Sequence, residues 1–337
     1  MKEVNSMIKA FGEVMMRLEV PNHLKLEQAT ELGVLYSGTG INVLSALSRF
    51  GHSTSIITKL PDNALGDAAI SYIRSLGIET SDIITGGNYL GMYFLEKGYH
   101  VRKTNVTYSN RKESSFCTSK ITDYNVEEVL RGTSILHLCG IMLSISEQMR
   151  YNALTIAKKA KQLGITVVFD FNYRPKLWQE DFTQAKKWYE CMLAYVDICF
   201  MTDMDALFIL RMESTEKSRK QRMKQLIPEV AKKYNVATIA GSLRDQENQQ
   251  ICGFLYQQDV MYFSRTYQYQ VLDRIGSGDA YASGILHGIL KKFTDEDTVD
   301  FATAACVLAH TTYGDSPICS EEEIWLLAKQ NNVQIER

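Results

Sequence analysis

The chain of 337 residues has seven cysteines but no C-x-x-C pair, and six histidines but no H-x-x-x-H pair. A zinc site built by the protein is therefore not expected, and the odd number of cysteines reads as reduced, buried side chains rather than a disulfide framework. A basic excess is also missing. Lys and Arg number 37 against 39 Asp and Glu, a formal charge of −2, which argues against nucleic acid or an anionic membrane surface as the main partner. No basic-then-apolar leader opens the sequence and no apolar run approaches the roughly 18 residues of a membrane span, so the expectation is a soluble, cytoplasmic protein acting on a small molecule. Two common nucleotide motifs are absent too. There is no G-x-x-x-x-G-K-[ST] P-loop, and no G-x-G-x-x-G follows the first strand-like segment, which excludes a Rossmann dehydrogenase.

What is present is a chain with 45% hydrophobic and 23% charged residues, enough for a well-buried core. From about residue 130, short apolar runs (135–138, 166–171, 198–201) alternate with longer amphipathic ones (146–163, 180–194). That alternation predicts βαβ units around a mostly parallel sheet. Val167, Val168 and Phe169 are apolar in succession, as a strand covered on both faces requires. The first third differs, with strand-like stretches at 14–20, 31–37, 91–97 and 105–108. The charge-rich segment Arg211–Lys224 reads as a solvated helical connection.

The run Asp273-Arg-Ile-Gly276-Ser277-Gly278-Asp279-Ala280 carries the most chemistry. Glycines on either side of Ser277 allow three backbone N–H groups to point at one spot, and the helix that follows adds unsatisfied donors and the positive end of its dipole. Asp279 then projects where negative charge collects, which suits a proton acceptor for a hydroxyl nucleophile. An ordinary capped helix start is the alternative reading of the same residues.

The surrounding motifs favour the first reading. Asp273 to Tyr281 resembles the D-x-x-G-[AS]-G-D-[AS]-F signature of the ribokinase-like (PfkB) sugar kinases. Four further segments are similar to the 2-keto-3-deoxygluconate (KDG) kinase branch: Phe11-Gly12-Glu13 with Arg17-Leu18, Lys59 to Ala68, Asp170-Phe-Asn172-Tyr-Arg174 with Leu177-Trp178, and His310-Thr311 with Gly314-Asp315. The resemblance implies a three-layer α/β/α sandwich around a mostly parallel sheet. A small β lid would be formed by 13–37 and 86–116, and a core by 1–12, 38–85 and 117–337. It further implies ATP-dependent phosphorylation of the terminal hydroxyl of KDG, with Mg²⁺ as the metal; the exposed edges of an open β lid, which a second subunit could cover, suggest a homodimer or larger ring.

By the same resemblance Asp279 is the general base, Gly276, Ser277 and Gly278 stabilise the moving phosphoryl group, and Arg174 is the cationic partner. ATP would be contacted by Asn172, Arg174, Gly241, Ser242, Arg244, Gly276, Gly278 and Thr303, the last with Ala304 and Val307 near adenine. The sugar acid would meet Gly38, Asn42, Tyr93, Tyr108, Arg174, Asp279 and Asp315. Either Asn110 or Arg111 would face its carboxylate, because the arginine stands one place later than in the related kinases. Other departures are Ser37-Gly38 for the family's Gly-Gly pair, Gly40 for an acidic residue, and Thr202-Asp-Met-Asp205 for the N-x-x-E motif that holds magnesium waters. Two alternatives remain open at this point: a fructokinase- or ribokinase-type enzyme, and a catalytically silent sugar-binding protein on the same fold.

Overall fold

A strand with helices on both sides has no polar face to show, and the apolar runs behave accordingly. In the computed structural model, which describes residues 7–329, Val167 and Phe169 join one hydrophobic core and Val168 the other. The strands are β1 (Met7–Phe11), β2 (Met15–Glu19), β3 (Gly33–Ser37), β4 (Thr54–Leu60), β5 (Ile83–Thr85), β6 (Gly91–Glu96), β7 (Asn105–Ser109), β8 (Thr133–Cys139), β9 (Thr166–Asp170), β10 (Ile198–Phe200), β11 (Thr238–Asp245), β12 (Gln250–Gln257), β13 (Val260–Phe263) and β14 (Tyr267–Gln268). The large sheet runs β13-β12-β11-β10-β9-β8-β1-β4-β5, with β14 against β12. Neighbours from β11 to β5 are parallel. An antiparallel margin of β12, β13 and β14, which the apolar periodicity does not reveal, completes it.

Parallel neighbours need crossovers, and helices supply them. They are α1 (Thr39–Arg49), α2 (Ala64–Ser75), α3 (Val126–Val129), α4 (Glu147–Gln162), α5 (Phe182–Leu193), α6 (Asp203–Phe208), α7 (Arg219–Tyr234), α8 (Ser277–Lys291), α9 (Asp295–Ala309) and α10 (Glu321–Ala328). Ile156 of α4, Tyr189 of α5 and Leu226 of α7 pack with Phe11, Leu138 and Phe169 on one face of the sheet. Ile41 of α1, Ile285 of α8 and Phe301 of α9 pack with Ile8, Ala10 and Val168 on the other. The result is the expected three-layer α/β/α sandwich. Among the described residues no helix is long and apolar enough to cross a membrane.

One expectation is corrected here. The segment Arg211–Lys224 is not a solvated helix throughout, because α7 begins only at Arg219. Its first turns are tied inward: Arg219 and Arg222 pair with the fully buried Asp203 at 2.7 and 3.0 Å.

A second, four-stranded sheet has the order β3-β2-β6-β7. It is joined to the core by charge. Arg17 in the middle of β2 has no exposed surface and bonds Glu19 on its own strand together with Asp273 and Asp315 from the core, the Asp273 contact being 3.1 Å. Lys97 adds a second cation, 2.6 Å from Glu19 and 3.1 Å from Asp273. Burial alone would weaken the Arg17 charge, yet Asp315, Glu19 and Asp273 raise its pKa above the ordinary arginine value. Removing one partner of such a cluster leaves carboxylates buried and uncompensated, which costs about 3–5 kcal/mol. Arg17→Met should therefore lower the denaturant midpoint by a large margin at unchanged slope, and an unaltered midpoint would show that the cluster does not hold the small sheet.

Candidate active site

Two helix starts meet at one point. Gly276 precedes α8 in the left-handed region, at φ 81°, and a Cβ on it would lie 1.8 Å from the carbonyl oxygen of Asp315. Only glycine satisfies both conditions. Gly38 precedes α1 under a similar constraint, its Cβ position being 2.2 Å from the carbonyl oxygen of Glu13. Beyond Gly276 the amides of Ser277, Gly278 and Asp279 find no backbone acceptor among the described residues, as the first turn of a helix dictates. A Cβ on Gly278 would meet nothing within 4 Å. The helix start is therefore open at Gly278, the place where the sequence puts an anion cradle.

Asp279 is 8% exposed and accepts a 2.7 Å hydrogen bond from Asn42 Nδ2. Burial pushes its carboxyl up to about 8; the Asn42 bond opposes this, Asp170 and Asp315 add to it, and Arg174 opposes it. Sequence reasoning placed an ionised carboxylate here, whereas the fold itself favours the protonated acid near neutrality. Arg174 is exposed, its guanidinium bonded among the described residues only to Tyr173 O at 3.3 Å, yet its charge reaches both Asp279 and Asp170. Asn172, at φ 40°, donates to Asp170 at 3.2 Å and Thr39 at 3.4 Å. Asp170 at the end of β9 is pushed up to about 6, mainly by burial.

On the small-sheet side the backbone directs Asn110 and Arg111 differently. Asn110 takes a left-handed conformation, φ 52°, just after β7, and is exposed. That one twisted residue turns Arg111 inward, where it pairs with Glu13 through Nε at 2.9 Å and Nη2 at 2.8 Å and lies 4.6 Å from the Tyr108 ring. Its buried Nη1 has no partner among the described residues. Tyr93 and Tyr108 face each other in register across β6 and β7.

Several expectations change. Asp315 was expected to close on the sugar, but its carboxylate is taken by Arg17, by Ser37 and by the Tyr93 hydroxyl at 2.8 Å. Thr303 was expected near the nucleotide, but it is fully buried and its hydroxyl donates to Val299 O at 2.7 Å, so it offers no polar group to a ligand. Gly241 is likewise buried, its Cβ position 2.3 Å from Met201 O, while Ser242 is half-buried beside it. Arg244 reaches the α8 start, donating to Ser277 Oγ at 3.1 Å. Thr202 and Asp205 cap one another, with N and Oγ1 of Thr202 at 2.8 and 3.1 Å from Asp205 Oδ2. Burial pushes the Asp205 carboxyl up to about 6. Among the described residues no three His, Cys, Asp or Glu side chains converge as a metal cage.

Glu13, Arg17, Ser37 and Lys97 were not assigned roles from the sequence. Glu13 and Arg17 stand in a quoted motif, but their partners are distant in the chain. A cavity of about 50 Å³ lies between the sheets, bordered by Glu13, Gly38, Thr39, Arg111, His137 and Cys139. A wider hollow of 660 Å³ among Lys25, Glu27, Arg102 and Lys103 is open to solvent at the far end of the small sheet, and none of the residues around Asp279 borders it.

The sequence model of the pfkB family carbohydrate kinase matches residues 5–322. A 2-keto-3-deoxygluconate kinase candidate from Enterococcus faecalis is 38% identical, with a TM-score of 0.93 over 98% of this chain and 99% of its own. The 2-dehydro-3-deoxygluconokinase of Thermotoga maritima is 32% identical, with a TM-score of 0.91 over 96% and 99%. A 2-dehydro-3-deoxygalactonokinase of Haloferax volcanii is 26% identical over 328 residues, 97% of this chain and 98% of that protein.

The raised Asp279 pKa has a measurable consequence for stability. Between 3.8, the ordinary carboxyl value, and about 8, the folded chain holds a proton that the unfolded chain has released, so stability from this group is full below that window and is lost as pH rises through it. Asp279→Asn removes the dependence. Its melting temperature should match wild type near pH 4 and exceed it by several degrees at pH 9; an equal or lower value at pH 9 would contradict the assignment.

Proposed function

The chain belongs to the pfkB family of carbohydrate kinases, and from that premise we propose that it transfers the γ-phosphoryl group of ATP to the terminal hydroxyl of 2-keto-3-deoxygluconate, giving the 6-phosphate and ADP. The observation that carries the substrate is the buried Arg111, which borders the cavity between the sheets and whose Nη1 has no partner among the described residues. A neutral sugar has no use for a desolvated guanidinium edge, whereas a sugar acid brings the carboxylate that fits it. Arg174 supplies a second cation at the strand end.

Asp279 accepts the hydroxyl proton as the sugar oxygen forms its bond to phosphorus and the bond to ADP breaks. Asn42 holds the carboxylate in place at 2.7 Å. The open amides of Ser277, Gly278 and Asp279 stabilise charge on the phosphoryl oxygens, the work of an oxyanion hole. Arg244, fixed by Ser277, and Asn172 with Arg174 border the nucleotide, with Gly241 and Ser242 as backbone neighbours. The segments 13–37 and 86–116 act as the lid that excludes water from the transfer.

Mg²⁺ accompanies the nucleotide. Asp205 accepts through Oδ2 alone, and its charge adds to the raised pKa of the buried Asp170, so the two carboxyls suit the water shell of a divalent cation. Asp205 and Asp170 would hold the ion through water, and when bound it would supply charge neutralisation at the phosphates. Because the Haloferax volcanii relative is named for the 4-epimer, that sugar acid is a natural second substrate.

An ATP-consumption assay over both keto-deoxy acids, fructose and ribose tests the reading. Turnover is expected on the acids, and turnover on fructose or ribose alone would overturn it. Asp279→Asn should lose on the order of 10²–10⁴ in kcat while still binding the sugar. In the wild type, kcat/KM should rise with pH up to about 8, where the Asp279 carboxyl ionises; a flat profile from pH 6 to 9 would remove the aspartate from the role of base.

A further inference from the structure

We infer that His137 is a substrate-recognition residue, a neutral imidazole that hydrogen-bonds the oxygen at C2 of the sugar acid while Arg111 takes the neighbouring carboxylate. The inference rests on the proposed substrate and deepens it. His137 lies within β8, paired in register with Ala10 of β1 and Val168 of β9, between the core residues Leu136 and Leu138. It is 1% exposed, and neither ring nitrogen has a partner among the described residues. Leaving a buried polar group unpaired costs about 1–3 kcal/mol, whereas an apolar side chain of similar size at this place on the sheet would cost nothing of the kind. The fold gains nothing from histidine here.

The cavity supplies the reason. His137 and Arg111 border the same space of about 50 Å³, and each carries a buried polar atom with no partner among the described residues. One comes from the central sheet and the other from the turn after β7, so no local motif explains their meeting. A volume of that size exceeds the roughly 10–15 Å³ one water needs and admits a small polar group. The two donors also differ in kind. Arg111 is permanently charged, while burial lowers the His137 pKa to about 4, so the ring stays neutral and offers one N–H and one acceptor nitrogen. A cation beside a neutral donor matches the end of a 2-keto acid, where a carboxylate and an uncharged carbonyl oxygen sit on adjacent carbons.

Steady-state kinetics with 2-keto-3-deoxygluconate and ATP varied separately test this on His137→Leu and His137→Gln. The leucine variant should raise KM for the sugar acid about 10- to 100-fold, the size of a lost hydrogen bond. KM for ATP should be unchanged, and the melting temperature equal to or above wild type. The glutamine variant, which keeps a donor, should recover part of the loss. On the wild-type protein, sugar acid alone should move the His137 ring ¹⁵N resonances, and ATP alone should not. An unchanged sugar KM in the leucine variant, or ring resonances indifferent to the sugar acid, overturns the inference and leaves the kinase reading standing. Failure of the wild type to phosphorylate any keto-deoxy acid overturns both.

Discussion

A carboxyl group that is almost removed from water and has a single amide donor beside it is held between two protonation states, and Asp279 is in that position. Desolvation alone favours the acid. The Asn42 bond, the charge of Arg174 and the open amides of the α8 start favour the anion. A group so balanced changes its charge readily when its surroundings change, which suits the base proposed for phosphoryl transfer. The nearby carboxylates are each occupied elsewhere: Asp315 by Arg17, Ser37 and Tyr93, Asp205 by Thr202, and Asp170 by Asn172. Their partners limit how far they add to the negative potential at the site.

Arg17 links that balance to the small sheet. Its guanidinium leaves β2 and reaches Asp273, which opens the glycine turn, and Asp315, whose carbonyl oxygen packs against Gly276. The small sheet is thereby joined to the glycine turn before α8 through two ion pairs and one close backbone contact. Ser37, where the family has glycine, has a task in this arrangement, since its hydroxyl donates to Asp315. The departure from the family pattern belongs to the same cluster that fixes the cradle.

Much of this was legible in the sequence because local chemistry dictated it. The order of βαβ units follows from apolar periodicity, and the four strands of the small sheet fall at 15–19, 33–37, 91–96 and 105–109, within about two residues of the strand-like stretches. The glycine turn before α8 is likewise local. What escaped depends on distant partners. Arg17 meets Asp315 across 298 positions and Arg111 meets Glu13 across 98, and no periodicity encodes such pairs. The inward turn of Arg111 needed the left-handed Asn110, an allowed but uncommon conformation that residue type merely permits. Thr303 misled because a threonine on a helix can spend its hydroxyl on the preceding turn. His137, inside an apolar strand, carries no signal in the sequence, since only the structure shows that its ring lacks partners and that the residue borders a cavity.

The account depends on the Asp279 side chain being protonated in the free protein and ionising near the pH at which a sugar hydroxyl must be activated. The direct measurement is a ¹³C NMR titration of the Asp279 carboxyl carbon in the ligand-free protein, assigned by its loss in Asp279→Asn. The midpoint should fall near 8. A midpoint near the ordinary 3.8 would mean that burial does not control this group, and the physical basis for its role as the base would be gone.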